Sequence, residues 1–127
     1  MLKRRRLIAL KVAGMVVLGL GIVGVTPAPA SATCSNHPTP TNKDPGNEYV
    51  TGASGGLARR LGPHTSCILL SYIPNGSKLD MWCYDFGDTV NGVSTWSWVR
   101  YSTSGGANYY GYVSDYYLTN RGSNYRC

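Results

Sequence analysis

The chain has few of the residues that carry enzyme chemistry. Only 14% of its 127 residues are charged, and it has a single glutamate, Glu48, and two histidines, His37 and His64. It contains no Cys-x-x-Cys pair of the kind that holds zinc and no Gly-x-Ser-x-Gly turn of the kind that presents a nucleophilic serine. No segment of useful length has apolar residues at helical spacing, and there is no internal repeat. These absences disfavour a metalloenzyme, a serine hydrolase and a helical domain, and we expect no cofactor.

The first 32 residues have the pattern of an export signal. An apolar run from Val12 to Val25 follows a basic region and ends before the small-residue site Ala30-Ser31-Ala32. The run is shorter than the roughly 20 residues that a membrane-spanning helix needs. We therefore expect cleavage after Ala32, secretion, and no membrane contact afterwards. The pair Arg5-Arg6 leaves both the general and the twin-arginine export routes open.

Removing this segment changes the interpretation of charge. Five of the twelve basic residues lie before residue 33, so the mature chain keeps seven basic and six acidic residues, and its net charge falls from +6 to +1. A strongly basic protein would suggest a nucleic acid or a membrane surface as partner. The mature chain gives no such indication, and we expect it not to bind nucleic acid.

Four cysteines remain in the mature part, and an even number in an exported chain predicts two disulfides. Pro74-Asn75-Gly76 is typical of a tight hairpin loop, here between a strand at Ile68 to Ile73 and a strand that ends at Tyr84. A three-residue loop places Cys67 opposite Cys83, within bridging reach. We therefore favour Cys67–Cys83 with Cys34–Cys127, and the other two pairings stay open.

The mature chain is expected to form one domain after an extended arm at residues 33–48, with the folded part and a C-terminal tail at 49–127. Short alternating apolar segments separated by Gly, Asn, Pro and Ser predict about five strands between Tyr49 and Val113. Asn91-Gly92 and Ser104-Gly105-Gly106 mark turns, and the segment from Phe86 to Thr95 predicts an enlarged loop. This organisation is typical of a small all-β barrel or sandwich.

Four motifs in order resemble the bacterial SH3 domain. They begin with Gly56-Leu57 and Gly62-Pro63, continue through the Pro74-Asn75-Gly76 turn and Trp96-x-x-Val99, and end at Gly111-Tyr112-Val113. The resemblance covers about Tyr49 to Leu118, and the additional cysteines resemble those of small secreted actinobacterial members. It implies an SH3-like barrel of about five strands.

One departure from the family pattern concerns the first strand of the barrel. Ala58-Arg59-Arg60-Leu61 stands where the family usually has Asn-Val-Arg-Ser, so Arg59 occupies a core position. Either the strand shifts its register locally, or Arg59 lies along the barrel with its charged end in water.

No catalytic residue is predicted. Asp85 and Asp88 are close in sequence, but Asp85-Phe86-Gly87-Asp88 is typical of a turn and not of the paired carboxylates of a glycosidase. A cysteine nucleophile near His64 would need a free thiol, whereas an exported chain with an even cysteine count is expected to oxidise all of them. We therefore expect a binding protein that is not an enzyme.

Aromatic side chains are the abundant feature, with ten Tyr, three Trp and one Phe, all in the mature part. A domain this small cannot enclose all of them, and Tyr and Trp suit wet binding surfaces. The resemblance implies a ligand groove lined by Trp96 and Tyr117. Nearby candidates for the groove, each of which has packing or solvation as its alternative role, are Trp98, Tyr110, Tyr112, Arg59 and Arg60.

Two functions follow as hypotheses. The first is a monomeric secreted module that binds cell-wall peptide or another cell-surface polymer, whose free carboxylates suit Arg59 and Arg60. A proline-rich ligand is disfavoured because arginines stand where eukaryotic SH3 domains carry acidic residues. The second hypothesis is an interaction protein or inhibitor that acts on an extracellular protein.

Overall fold

A computed structural model describes residues 34, 35 and 37–127, so the predicted signal peptide at 1–32 lies outside the described residues. The described chain forms six antiparallel strands in one sheet, of order β1-β4-β5-β6-β2-β3, whose edge strands β1 and β3 do not pair with each other. The strands are β1 (Asn47–Tyr49), β2 (Leu57–Arg60), β3 (Leu69–Ile73), β4 (Lys78–Val90), β5 (Val93–Ser102) and β6 (Asn108–Ser114). A short 3-10 turn follows at Asp115–Tyr117. The all-β prediction is confirmed, and within the described part no helix is long and apolar enough to cross a bilayer.

The central hairpin is longer than the sequence suggests. Asn91 (φ 46°) and Gly92 (φ 87°) form its two-residue turn, and both have the left-handed backbone that a type I′ turn requires. Val90 therefore pairs directly with Val93. The enlarged loop predicted between Phe86 and Thr95 is wrong, because these residues extend β4 and β5 with one irregularity between Phe86 and Val90. This extension places Val90 at a surface cleft that Trp96 and Tyr117 also line, and it places the Asp88 carbonyl beside Trp96.

The predicted pairing of the strand at 68–73 with its successor is also wrong. Pro74-Asn75-Gly76 does turn the chain, since the Ser77 amide donates to the Pro74 carbonyl at 3.2 Å. The turn, however, is bound by the segment that follows β1: the Asn75 side chain accepts from the Ala53 amide at 2.9 Å and donates to the Ala53 carbonyl. The two strands diverge from this anchor, and β3 pairs with β2 instead.

The disulfide connectivity follows the sheet and differs from the favoured one. Cys34 is bonded to Cys67, with Cα atoms 5.7 Å apart, and Cys83 to Cys127, with Cα atoms 4.9 Å apart. Two disulfides are confirmed, but the predicted pairs Cys67–Cys83 and Cys34–Cys127 are wrong because β3 and β4 are not neighbours in the sheet. One bond fixes the arm and the other fixes the C-terminus.

The core lies on the face of the sheet formed by alternate residues. Strand β4 shows this alternation at Leu79 and Met81, both fully buried. The register then shifts between Met81 and Cys83, so the buried Cys83 lies opposite Trp98 on the other face. The remaining buried apolar residues of the core come from β2, β3, β5, β6 and the flanking loops: Leu57, Ile73, Val99, Val113, Val50, Ala53 and Leu118. Tyr101 and Tyr117 pack against this cluster. The opposite face of the sheet carries Trp96 and Trp98, each of which lines a surface cleft.

Candidate functional site

A cleft of about 200 Å³ lies where the segment around β2 faces the start of β5 and the end of β6. We call it the groove cleft. Two of the predicted groove aromatics, Trp96 and Tyr117, line it together with Arg60. Its other lining residues are small, apolar or hydroxylic: Ala53, Ser54, Gly56, Leu57, Ala58, Thr65, Val90 and Ser114.

Trp96 is a buried residue of the groove cleft's lining. Its side chain is only 2% exposed, and its indole N–H donates to the Asp88 carbonyl at 2.9 Å. The extension of β4 supplies this carbonyl, and it fixes the ring in one orientation. Trp96 therefore presents part of its ring to the cleft and is not a freely exposed stacking platform.

Tyr117 is held at the side of the cleft by the turn after β6. Ser114 caps this turn, since its hydroxyl accepts from the Tyr116 amide at 3.4 Å. The Tyr116 and Tyr117 rings pack edge to face with centroids 5.0 Å apart. Tyr117 is half-buried, so it offers the cleft an aromatic surface with little rotamer freedom left to lose on binding.

Among the residues that the structure describes, Arg60 is the one charged side chain that lines the groove cleft, and no acidic residue lines it. One guanidinium nitrogen donates to the Cys67 carbonyl at 3.0 Å, which holds the group against the loop before β3. Because the planar guanidinium carries five N–H donors, the remaining donors suit a carboxylate. The cleft is therefore suited to a ligand that brings one negative charge.

Arg59 lies away from this cleft although it is the next residue. Neighbouring residues of a strand point to opposite faces, and the Arg59 residue is only 8% exposed. Its Nε donates to the Ser71 hydroxyl at 3.1 Å and its Nη1 donates to the Tyr110 carbonyl. A Cβ at Gly111 would lie 2.7 Å from the Arg59 stem, so this glycine leaves room for the arginine.

These contacts decide between the two alternatives for Arg59. Its charged end is held by the Ser71 hydroxyl and the Tyr110 carbonyl, and the register of β2 against β3 shifts between Arg59 and Arg60, as the first alternative expects. Burial lowers the pKa of Arg59, although the nearby Tyr109 opposes the effect. The Arg59 guanidinium therefore has a structural role, since it is hydrogen-bonded to β3 and β6 and not available to a ligand in the groove cleft.

The remaining predicted groove residues lie elsewhere on the outer face. Trp98 pairs with Tyr112 across β5 and β6, and their rings meet edge to face with centroids 5.1 Å apart. Tyr110 packs against Trp82 at 5.3 Å and lines neither cleft. The structure therefore groups Trp96 with Tyr117 and Arg60, and it groups Trp98 with Tyr112.

Trp98 and Tyr112 line a second cleft of about 290 Å³, which we call the arm cleft. Its opposite wall is the N-terminal arm. The lining residues are Cys34, Ser35, His37, Pro38, Thr39, Pro40, Leu61, Trp98 and Tyr112, so the two clefts share none. The arm has no regular secondary structure between Pro38 and Gly46, and it crosses the outer face of the sheet.

Two histidine–aspartate pairs stand next to the arm cleft. The Nδ1 atom of His37 lies 2.6 Å from the Asp85 carboxylate, and the Nδ1 atom of His64 lies 2.8 Å from the Asp88 carboxylate. The imidazole centroids are 5.8 Å apart. Sequence reasoning missed these pairs because it treated both aspartates as turn formers. Only the three-residue spacing of the aspartates hinted at them.

The electrostatics of these pairs favour a structural role. The hydrogen bond with His64 holds the pKa of Asp88 below its usual value, and the Thr65 amide and hydroxyl add to this effect. Burial raises the pKa of Tyr112 to about 12, and the Asp85 charge contributes, so the phenol stays protonated. The Nε2 atom of His37 is buried. Within residues 34, 35 and 37–127, no group of three or more His, Cys, Asp or Glu side chains is arranged to hold a metal ion.

Comparison with known proteins finds two similar chains. The protein is 33% identical over 72 residues to the uncharacterized protein YraJ of Bacillus subtilis, a match that covers 54% of this chain and 61% of the relative. It is 32% identical over 76 residues to the uncharacterized protein YraI of the same organism, which covers 55% and 64% respectively. The chain thus spans less than two thirds of the length of these relatives. No family model matches it.

Proposed function

We propose that this chain is a secreted, non-catalytic SH3-like module that binds peptidoglycan, through its peptide part, or a similar cell-surface polymer. The observation that carries the proposal is the groove cleft, a preformed concave site with two aromatic walls and one unopposed cation. Trp96 and Tyr117 stand at the positions that the resemblance to bacterial SH3 domains assigns to a ligand groove. Ligand pockets commonly combine apolar walls with a few placed polar groups in this way.

The antiparallel topology supports the SH3-like part of the proposal. Val50, just after β1, forms a bridge with Leu118, just after the closing 3-10 turn, and the Thr51 amide donates to the Tyr117 carbonyl at 2.8 Å. These contacts join segments that flank distant strands of the sheet. The sheet must curl to bring these segments together, and a small barrel requires a sheet that curls in this way.

Secretion is supported by the disulfides and by the predicted export signal. All four cysteines are bonded among the described residues, and disulfides persist in oxidising compartments outside the cytosol. The bonded cysteines also leave no thiolate for nucleophilic chemistry. The buried Nε2 atom of His37 cannot meet a substrate, which favours binding over catalysis.

Arg60 determines the expected ligand chemistry. A ligand carboxylate would find the guanidinium already oriented by the Cys67 carbonyl and would meet no acidic residue in the cleft. Cell-wall peptides end in such carboxylates. A charge-assisted contact of this kind weakens with salt, because an exposed pair is screened.

Co-sedimentation with purified cell-wall sacculi tests the proposal. We expect the disulfide-bonded chain to be retained, and Tyr117→Ala and Arg60→Met to reduce retention at least tenfold. Arg126→Met is the matched control, since Arg126 is exposed and lines neither cleft. Retention that is absent, or that is equal in Arg60→Met and Arg126→Met, would refute the proposal.

One observation favours the second hypothesis, an extracellular protein as partner. Tyr72 of β3 is 60% exposed, and Ile68, immediately before β3, is 64% exposed; β3 is an edge of the sheet. Edge strands with exposed apolar side chains are sites of strand pairing with other chains. Pull-down from culture medium distinguishes the hypotheses. If β3 pairs with a partner, the chain should capture a single protein, Tyr72→Lys should abolish that capture, and the chain should not be retained on sacculi.

A further inference from the structure

The arm cleft is preformed because the arm is fixed to the domain at several points. Its start is bonded through Cys34–Cys67, and its middle is held by the His37 bond with Asp85. Farther along, the Lys43 amide donates to the Trp82 carbonyl at 3.1 Å. A wall that is fixed in this way does not need to be ordered when a ligand binds, which favours affinity.

Within the described part of the chain, no Lys, Arg, Asp or Glu side chain lines the arm cleft. Its floor is the half-buried indole of Trp98, supported edge-on by Tyr112. Pro38, Pro40 and Leu61 add apolar surface, and Ser35 and Thr39 bring exposed hydroxyls. His37 directs Nδ1 towards Asp85 and away from a bound molecule's reach. The cleft thus combines one aromatic platform with neutral hydrogen-bonding groups.

We propose that the arm cleft binds a neutral saccharide ring. A pyranose has an apolar C–H face that packs on an indole and hydroxyl groups that exchange hydrogen bonds with Ser35 and Thr39. A charged ligand finds no counter-charge here, whereas the groove cleft offers Arg60. The inference rests on the proposed function, because peptidoglycan carries glycan strands beside its peptides. It assigns the glycan to the arm cleft and the peptide carboxylate to the groove cleft.

The test is an NMR titration of the disulfide-bonded chain with chitotetraose, a soluble N-acetylglucosamine oligomer without peptide or carboxylate. We expect shifts in the Trp98 indole resonance and in the backbone amides of Ser35, Thr39 and Leu61. The Trp96 indole is expected not to move, because the two clefts share no residue. No shift up to millimolar sugar, or shifts centred on Trp96, would overturn the assignment.

Blocking variants make the titration specific. Thr39→Trp places a large ring in the cleft, and Thr41→Trp is the matched control two residues along the arm, exposed and outside the lining. We expect at least tenfold weaker sugar binding in Thr39→Trp and unchanged binding in Thr41→Trp. Equal binding in both variants would contradict the proposal, and neither substitution removes a buried side chain.

The outcome is separable from that of the proposed function. If chitotetraose does not bind while sacculi retain the chain through Arg60, the glycan assignment alone fails. If chitotetraose binds in the arm cleft while Arg60→Met leaves retention on sacculi unchanged, the glycan assignment stands and the peptide-carboxylate proposal fails.

Discussion

The stability of the domain should decrease as the pH rises from about 4 to about 6 because of one carboxyl group. Asp115 is fully buried behind β6, and neither of its carboxyl oxygens has a hydrogen bond of standard geometry to a described residue. Burial raises the pKa of Asp115 to about 6, and the nearby Glu48 adds to the increase. Ser97 and Thr95, which face the carboxyl, offset only part of the shift.

The magnitude and sign follow from linkage. The pKa rises from an ordinary value of 3.8 to about 6 in the folded chain, and each unit corresponds to about 1.4 kcal/mol. Below about pH 3, under both pKa values, the group is protonated in both the folded and the unfolded chain, so it has no differential effect. Above pH 6 it is ionised in both, and the folded state bears the full cost of about 3 kcal/mol.

The variant Asp115→Asn isolates this effect because it conserves volume and removes the titration. We expect the free energy of unfolding in urea, measured at several pH values, to give a difference between wild type and variant that falls by about 3 kcal/mol between about pH 3 and about pH 7. The variant should be the more stable protein at pH 7. A difference that is flat with pH, or that rises, would show that the carboxyl is solvated or paired in solution.

Two further predictions test the local geometry. Gly122→Ala should destabilise the domain by roughly 2 kcal/mol or more in thermal or urea unfolding, because a Cβ there would lie 2.1 Å from the Asp115 carboxyl and the backbone has a φ of 92°. The control is Gly106→Ala, which has a similar φ of 84° but open space around it, so it should destabilise the domain less. Tryptic digestion without reduction should release residues 79–100 joined to the single amino acid Cys127, as the bond to Cys83 requires, and a mass that shows any other partner contradicts the connectivity.

Local rules predicted the turns and the alternation of the strands. Asn91-Gly92 and Gly106 mark real turns, because their left-handed backbone is a property of a few neighbouring residues. Leu79 and Met81 are buried and alternate along the chain with the polar Lys78 and Asp80, because the side chains of a strand alternate between faces whatever its partner. These features need no knowledge of distant contacts.

The partner of β3 could not be predicted in the same way. The Pro74-Asn75-Gly76 turn forms as expected, but its side-chain amide binds Ala53, 22 residues earlier, and this contact separates the two strands. Sheet pairing is decided by such long-range contacts and not by turn chemistry alone. The error in disulfide connectivity is the same error, since it was derived from the wrong register.

The candidate site was predicted in part for a related reason. The order of motifs indicated Trp96 and Tyr117, and the structure places both in one cleft. Arg59 and Arg60 were grouped because they are adjacent, although adjacent strand residues point to opposite faces. The arm cleft was missed because the arm has no pattern in its sequence that indicates which face of the sheet it crosses.

The two histidine–aspartate pairs offer a matched measurement of how firmly the arm is held. His37→Ala and His64→Ala remove the same side chain and the same type of bond, but the Asp85 side chain is 9% exposed and the Asp88 side chain is 40% exposed. Each carboxylate keeps other partners: Asp88 accepts from the Thr65 amide and hydroxyl at 2.8 and 2.9 Å, and Asp85 accepts from the Phe86 amide at 2.8 Å and lies 3.6 Å from the Arg126 guanidinium. The difference therefore comes from burial: a buried carboxylate that loses one partner costs more than a solvated one, so His37→Ala should be the more destabilising by about 1–2 kcal/mol.

Hydrogen exchange locates this loss. Amides of the arm should exchange faster in His37→Ala and not in His64→Ala, because only His37 lies on the arm, while the Cys34–Cys67 bond still tethers its start. Equal destabilisation by the two variants, or an arm that stays protected in His37→Ala, would mean that the disulfide alone positions the arm. In that case the wall of the arm cleft would survive loss of the imidazole, and only reduction of Cys34–Cys67 would open it.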